Sequence, residues 1–244
     1  MTKIILGLFV SLLGMASNAQ TSEKRDISGF TGISVADGIQ VVVQSNCSKS
    51  VTIEAADSAA LKNVITERQG KVLKIYLMNG AQGVVKVIIS SGEVINFTAS
   101  EKSAISLDSE LVSKELSISL ASGAKFSGNI KCTSKVILFA SSDAMFEGKV
   151  TTKSFEGNLK NNSTASVTGY AGRADVRCAS GSKFIADKFI VEYGSAHAEN
   201  KSKIAFTVTN SIVAGSDDTS SVKYYGSPEN TVFDTDSYAV KTIK

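Results

Sequence analysis

The octet ASGAKFSG, Ala121 to Gly128, returns as SSDAMFEG (Ser141 to Gly148), NSTASVTG (Asn162 to Gly169) and ASGSKFIA (Ala179 to Ala186). Aligning the copies on their central small residue superposes Ala124, Ala144, Ala165 and Ser182, at steps of 20, 21 and 17 residues. The apolar residue two places on follows in phase as Phe126, Phe146, Val167 and Phe184. Six places before the small residue stand Ile118, Leu138, Leu159 and Val176, and a fifth unit fits as Ile190 and Ala196. Within units, apolar and polar residues alternate, as in Leu116, Ile118 and Leu120 against Ser117 and Ser119. Period two means strands with one buried face. Gly128, Gly148, Gly157, Gly169, Gly181 and Gly194 read as the turns between these runs.

A unit of about 20 residues cannot hide its apolar face alone, so it must stack on a neighbour of the same kind. Stacking puts equivalent residues about 4.8 Å apart, and the repeated apolar positions become interior ladders. The expected fold is therefore all-β, a parallel β-helix-like solenoid with regular repeats over 98–215 and a C-terminal cap over 216–244. Residues 27–97 read as strands without the period, forming wider irregular coils or an antiparallel cap; a separate β-sandwich is the alternative. AADSAALKN, Ala55 to Asn63, is the one short helix expected, opening at Asp57 or Ser58. Without a Pro- or Gly-rich linker, 27–244 reads as a single domain.

The opening MTKIILGLFVSLLGMASNAQ sets Lys3 before an apolar run and the small triplet Ser17-Asn18-Ala19. That pattern predicts an export signal over 1–19, followed by a flexible lead over 20–26. The run is too short to span a bilayer, which needs about 20 apolar residues, and no later segment predicts a membrane span. Export admits disulfides, but Cys47, Cys132 and Cys178 are odd in number and lack zinc-type spacing, so all three read as buried apolar fillers. A net charge of +3 without a basic stripe excludes nucleic acid as the expected partner.

FTGISVADGIQVVV (Phe30 to Val43), the repeated corners and SVKYYGSPE (Ser221 to Glu229) together resemble the exported bacterial family named putative auto-transporter adhesin, head GIN domain. Its name-giving Gly-Ile-Asn falls on Gly38, Ile39 and Gln40, where Gln replaces Asn. The resemblance implies a right-handed parallel β-helix-like fold and an envelope location, periplasmic or at the cell surface. It brings no catalytic residue.

Parallel β-helices also cleave polysaccharides, which requires carboxylates converging with basic groups. The outward candidates are Asp143, Glu147, Asp175, Asp187 and Glu192, with Arg173 and Arg177. They fall at different phases of the unit, which favours solvated surface charge. His197, the only histidine, reads as an exposed rim residue of the fifth corner, and Asp217-Asp218 lacks calcium-loop spacing. Tyr193, Tyr224 and Tyr225, with His197, form the candidate ligand surface, since aromatic faces beside Ser, Thr and Asn rows hold sugars. The expected function is a non-enzymatic envelope or surface protein that binds a glycan or an envelope or host surface protein, without cofactor or metal. A polysaccharide lyase or hydrolase is the rival, and a purely structural envelope module is a third possibility.

Overall fold

The computed structural model describes residues 21–44, 49–78, 83–234 and 240–243. The expected export signal and Cys47 lie outside them. The chain forms β1 (Thr21–Arg25), β2 (Gly32–Val35), β3 (Gln40–Gln44), β4 (Ser50–Ala55), α1 (Ser58–Asn63), β5 (Val64–Gln69), β6 (Val72–Leu77) and β7 (Val85–Ser90). Next come β8 (Asn96–Ala99), β9 (Ala104–Leu107), β10 (Leu111–Leu120), β11 (Lys125–Ala140), β12 (Met145–Leu159), β13 (Thr164–Cys178), β14 (Lys183–Ala198) and β15 (Lys203–Ser216). The chain ends in β16 (Ser221–Tyr225), β17 (Asn230–Phe233) and β18 (Val240–Ile243).

From β10 to β16 each strand pairs in parallel with a strand one coil later, giving a β-solenoid of about seven turns. Each long strand bends midway, where the ladder slips, as between Lys131 and Lys135 or between Ala186 and Ile190. A coil thus has a leading side before the bend and a trailing side after it. Alternation sends Phe126, Ile130 and Cys132 inward from β11, with Lys125, Ser127 and Asn129 outward. Cys132 and Cys178 are buried free thiols, and desolvation raises both pKa values, that of Cys178 to about 12.

The interior column runs Ile105, Phe126, Phe146, Ala165, Phe184, Ile204, Val222. Phe126 and Phe146 stack at 5.6 Å, so these phenylalanines do share one column. The third unit sits two residues from its expected place: Ala165, not Val167, follows Phe146, and Gly157, not Leu159, follows Leu138. A slip of two preserves strand parity, so Val167 and Leu159 are still buried. The alignment missed the small members because volume is made up sideways. Phe155 leans over Gly157, where an added Cβ would lie 3.0 Å from its ring, and meets Phe184 and Phe189 at 5.8 and 5.4 Å. The fifth unit also differs: Ile190 is 46% exposed beside the bend, and Ala196 lies in a trailing-side column with Val176.

Trailing and leading sides meet at a tight corner of two consecutive residues with positive φ. The pairs are Asp37-Gly38, Glu101-Lys102, Ser122-Gly123, Ser142-Asp143, Asn161-Asn162, Ser180-Gly181 and Asn200-Lys201. Left-handed backbone costs an ordinary residue about 1–2 kcal/mol, so a non-Gly corner needs compensation. Stacking supplies it: Lys102 N donates to Ser122 O (2.9 Å), Gly123 N to Ser142 O (2.8 Å), Asp143 N to Asn161 O (3.0 Å) and Gly181 N to Asn200 O (2.8 Å). At the last copy side chains replace the missing carbonyls, with Asn200 N donating to Asp217 Oδ2 (2.6 Å) and Lys201 N to Thr219 Oγ1 (2.9 Å). Of the glycines expected in turns, only Gly181 is at a corner; Gly128, Gly148, Gly157, Gly169 and Gly194 lie within strands.

The N-terminal part combines both expected forms. β2 and β3 make a parallel coil that pairs with β8 and β9 on one side and with β6 and β7 on the other. The segment Gly38-Ile39-Gln40 therefore lies inside the stack, with Ile39 buried and Gln40 exposed. Antiparallel β4 and β5 then cover β7 and β6. Residues 21–25, expected to be flexible, form β1 antiparallel to β4. Asp57 caps α1, its Oδ1 accepting from Ala60 N at 2.8 Å. At the far end, residues expected to cap the solenoid continue it instead, since β16, β17 and β18 are further parallel strands.

Candidate functional site

Glycines in mid-strand shape the leading side. Gly128 and Gly148 occupy the same position on successive rungs. A Cβ on Gly128 would lie 2.6 Å from Leu107, and one on Gly148 would lie 2.3 Å from Gly128 O. No side chain fits at either position, and both glycines lie in the lining of a groove of about 540 Å³. Ser127–Asn129, Glu147–Lys149 and Ser166–Thr168 line it as three segments in direct register. Ile185, Asp187 and Lys188 of β14 close its far side, and Ile185 is 48% exposed. Hydroxyls, an amide, two carboxylates and two ammonium groups thus surround one apolar surface, an arrangement suited to a polyhydroxylated ligand.

Tyr193, His197, Tyr224 and Tyr225 do not form one site. Tyr193 is 44% exposed beside the bend, with the Arg173 guanidinium carbon 5.7 Å from its ring centre. The neighbouring Tyr170 hydroxyl donates to Glu192, and that bond, aided by desolvation, raises the phenol pKa. His197 is exposed on the trailing side, not at a corner, with Nδ1 3.9 Å from Asp234 Oδ2. Gly215 lies between their rungs; a Cβ there would be 2.3 Å from Asp234 Oδ2. Tyr224 is buried, its ring 6.3 Å from that of Phe233, and so leaves the candidate surface, because strand parity turns it inward. Tyr225 is half-buried on the same strand.

The carboxylates are also dispersed. Asp143 belongs to the corner column, and Glu147 and Asp187 to the groove. Asp175 lies on the trailing side, 3.6 Å from Arg177 Nε, and Glu192 is engaged by Tyr170. Of these carboxylates only Glu147 and Asp187 share a site, the groove they line with Lys149 and Lys188, while Asp143, Asp175 and Glu192 stand apart from it. Asp217 is held at about 2 because it accepts hydrogen bonds, first from Asn200 N and then from Ser220 and Thr219. Among the described residues no group of three His, Cys, Asp or Glu could hold a metal ion, and no helix is long and apolar enough to cross a membrane.

Sequence reasoning named Glu147 and Asp187 but missed Asn129, Lys149, Ser166 and Thr168. The available signal was the recurrence of Gly128 and Gly148 at one interval, which reads as a turn until its place in mid-strand is known.

Comparison with known proteins finds a match over residues 29–228 to the family described as putative auto-transporter adhesin, head GIN domain. Among solved structures, one titled putative adhesin from Parabacteroides merdae superposes with a TM-score of 0.84 at 18% identity, covering 92% of this chain and 96% of that one. Another putative adhesin, from Parabacteroides distasonis, gives 0.82 at 16%, covering 92% and 97%. A structure from the same organism titled putative lipid binding protein gives 0.74 at 16%, also covering 92% and 97%. At these identities the likeness is one of fold. Comparison with curated proteins finds no match.

Proposed function

Because this chain belongs to the putative auto-transporter adhesin, head GIN domain family, we propose that it is an exported, non-enzymatic protein of the bacterial envelope or surface that binds a glycan. The leading-side groove carries this reading. Three rungs present polar side chains in register at strand spacing, Ser127 and Asn129, then Glu147 and Lys149, then Ser166 and Thr168, so the site extends across coils and suits a linear saccharide chain. The export pattern over 1–19 supports delivery to the periplasm or beyond.

The name of the lipid-binding neighbour raises an acyl ligand as a second reading for this chain. The groove argues against it: an acyl chain needs continuous apolar lining, whereas here Ile185 is the only large apolar side chain of the lining that is exposed. The test is binding of the purified protein to a panel of bacterial and host glycans, repeated with an N129A/T168A variant. Both residues are exposed, so folding should persist while binding weakens. Unchanged binding in the variant, or turnover of any polysaccharide, defeats the proposal.

A further inference from the structure

Beyond the groove, the leading side gathers positive charge. Lys183 and Lys203 face outward on adjacent rungs in direct register, about 4.8 Å apart along the stack. Lys223 follows on the next rung, beside Ala205, and Lys201 projects from the adjoining corner. All four are exposed, and among the described residues none takes part in an ion pair. Lys149 and Lys188 continue the array at the groove itself. Like charges opposed across a ladder repel, so the array contributes nothing to the fold. It also does not mirror the whole chain, whose net charge is only +3. The trailing side is mixed in sign, with outward Glu156, Asp175 and Asp234 beside Lys135, Arg173 and Arg177, and Glu156 pairs with Lys135 at 2.6 Å.

Building on the glycan-binding reading, we propose that the ligand is an acidic polysaccharide lying along the solenoid axis. Its sugar hydroxyls meet the groove, where Glu147 and Asp187 accept from them, and its anionic groups pair with Lys183, Lys203 and Lys223. From β11 to β16 this track spans five rung steps, roughly 24 Å at strand spacing. Carboxylate on uronic acids and phosphodiester between sugars share the required chemistry.

The test measures binding of the full protein to polygalacturonate, to a phosphodiester-linked glycan and to neutral dextran of equal length, at several salt concentrations. At least one acidic polymer should bind, with affinity falling as salt rises; which arm binds identifies the source of charge. A K183Q/K203Q/K223Q variant should keep its melting temperature, weaken binding at least about tenfold and flatten the salt dependence. If dextran binds as tightly and the variant is unchanged, the acidic assignment is overturned while glycan binding stands. If no polymer binds, or if only vesicles of anionic lipid bind, both readings fall.

Discussion

The two ends of the solenoid close in different ways. At the N-terminal end the chain folds back into antiparallel strands whose outer members carry charge: Glu23, Lys24 and Arg25 on β1, and Glu67 and Arg68 on β5. Charged edge strands resist pairing with another chain. Arg25 also locks this end, donating to Val64 O at 2.7 Å, to Thr66 Oγ1 at 2.9 Å and to Leu61 O at 3.3 Å. The C-terminal end keeps stacking in parallel. Its β17, Asn-Thr-Val-Phe, has no charge, and Val232 and Phe233 are 57% and 43% exposed. One end is closed by topology; at the other, among the described residues, side chains on the last rungs take that part. In a stack whose coils touch only their neighbours, opening should start where closure is weakest.

The sharpest way to break that contrast is to damage the middle, where both ends should suffer alike. Phe155→Ala removes the ring that fills the space over Gly157, and unfolding in denaturant should show a loss of about 3–5 kcal/mol. A smaller loss would mean that the coils can collapse around the void. Next in size is Arg25→Ala. Losing charge-assisted bonds to two backbone carbonyls should cost about 2 kcal/mol, with faster hydrogen exchange in β1, β4 and β5 but not in β15 to β18. Uniform acceleration over both ends would erase the distinction.

At the other end, Asp217 is the pH-sensitive group. Its folded pKa of about 2 lies below the ordinary 3.8, so its contribution is present above about 4 and fades as pH falls through about 2. Protection of the Asn200 amide, its exchange relative to the intrinsic rate at each pH, should therefore fall over that window in the native protein, and Asp217→Asn should flatten the dependence. The smallest effect belongs to Val232→Lys. At an exposed edge position the stability change should stay within about 0.5 kcal/mol. A drop in melting temperature of many degrees would show the last rung to be more tightly held than its exposure suggests.

Strand parity was the most legible property of the chain. It placed Phe126, Phe146 and Phe184 inside and His197 outside, while capping chemistry narrowed the start of the short helix to Asp57 or Ser58, of which Asp57 is the cap. Three features were hidden for separate physical reasons. The third unit slipped by two because interior volume is conserved across a whole coil, so Ala165 and Gly157 can occupy a column where a search for large residues looks past them. The spatial order of the first coils was hidden because β2 and β3 lie between later strands, and side-chain pattern carries no record of which coil lies next to which. The groove was hidden because its lining comes from four separate strands, and side-chain pattern does not record which residues face each other across rungs. The candidate ligand residues were dispersed partly for the same reason that parity succeeds, since the pair Tyr224-Tyr225 must split between inside and outside, and partly because Tyr193 stands beside the bend and His197 further along the trailing side.

The corner column has one more consequence. Its cohesion comes from amides and carbonyls, so the side chains of Ser122, Asp143, Asn162 and Lys201 hang from a backbone spine that needs nothing from them. Along that ridge a fluorophore, an affinity tag or a foreign epitope could be grafted while the scaffold beneath stays intact.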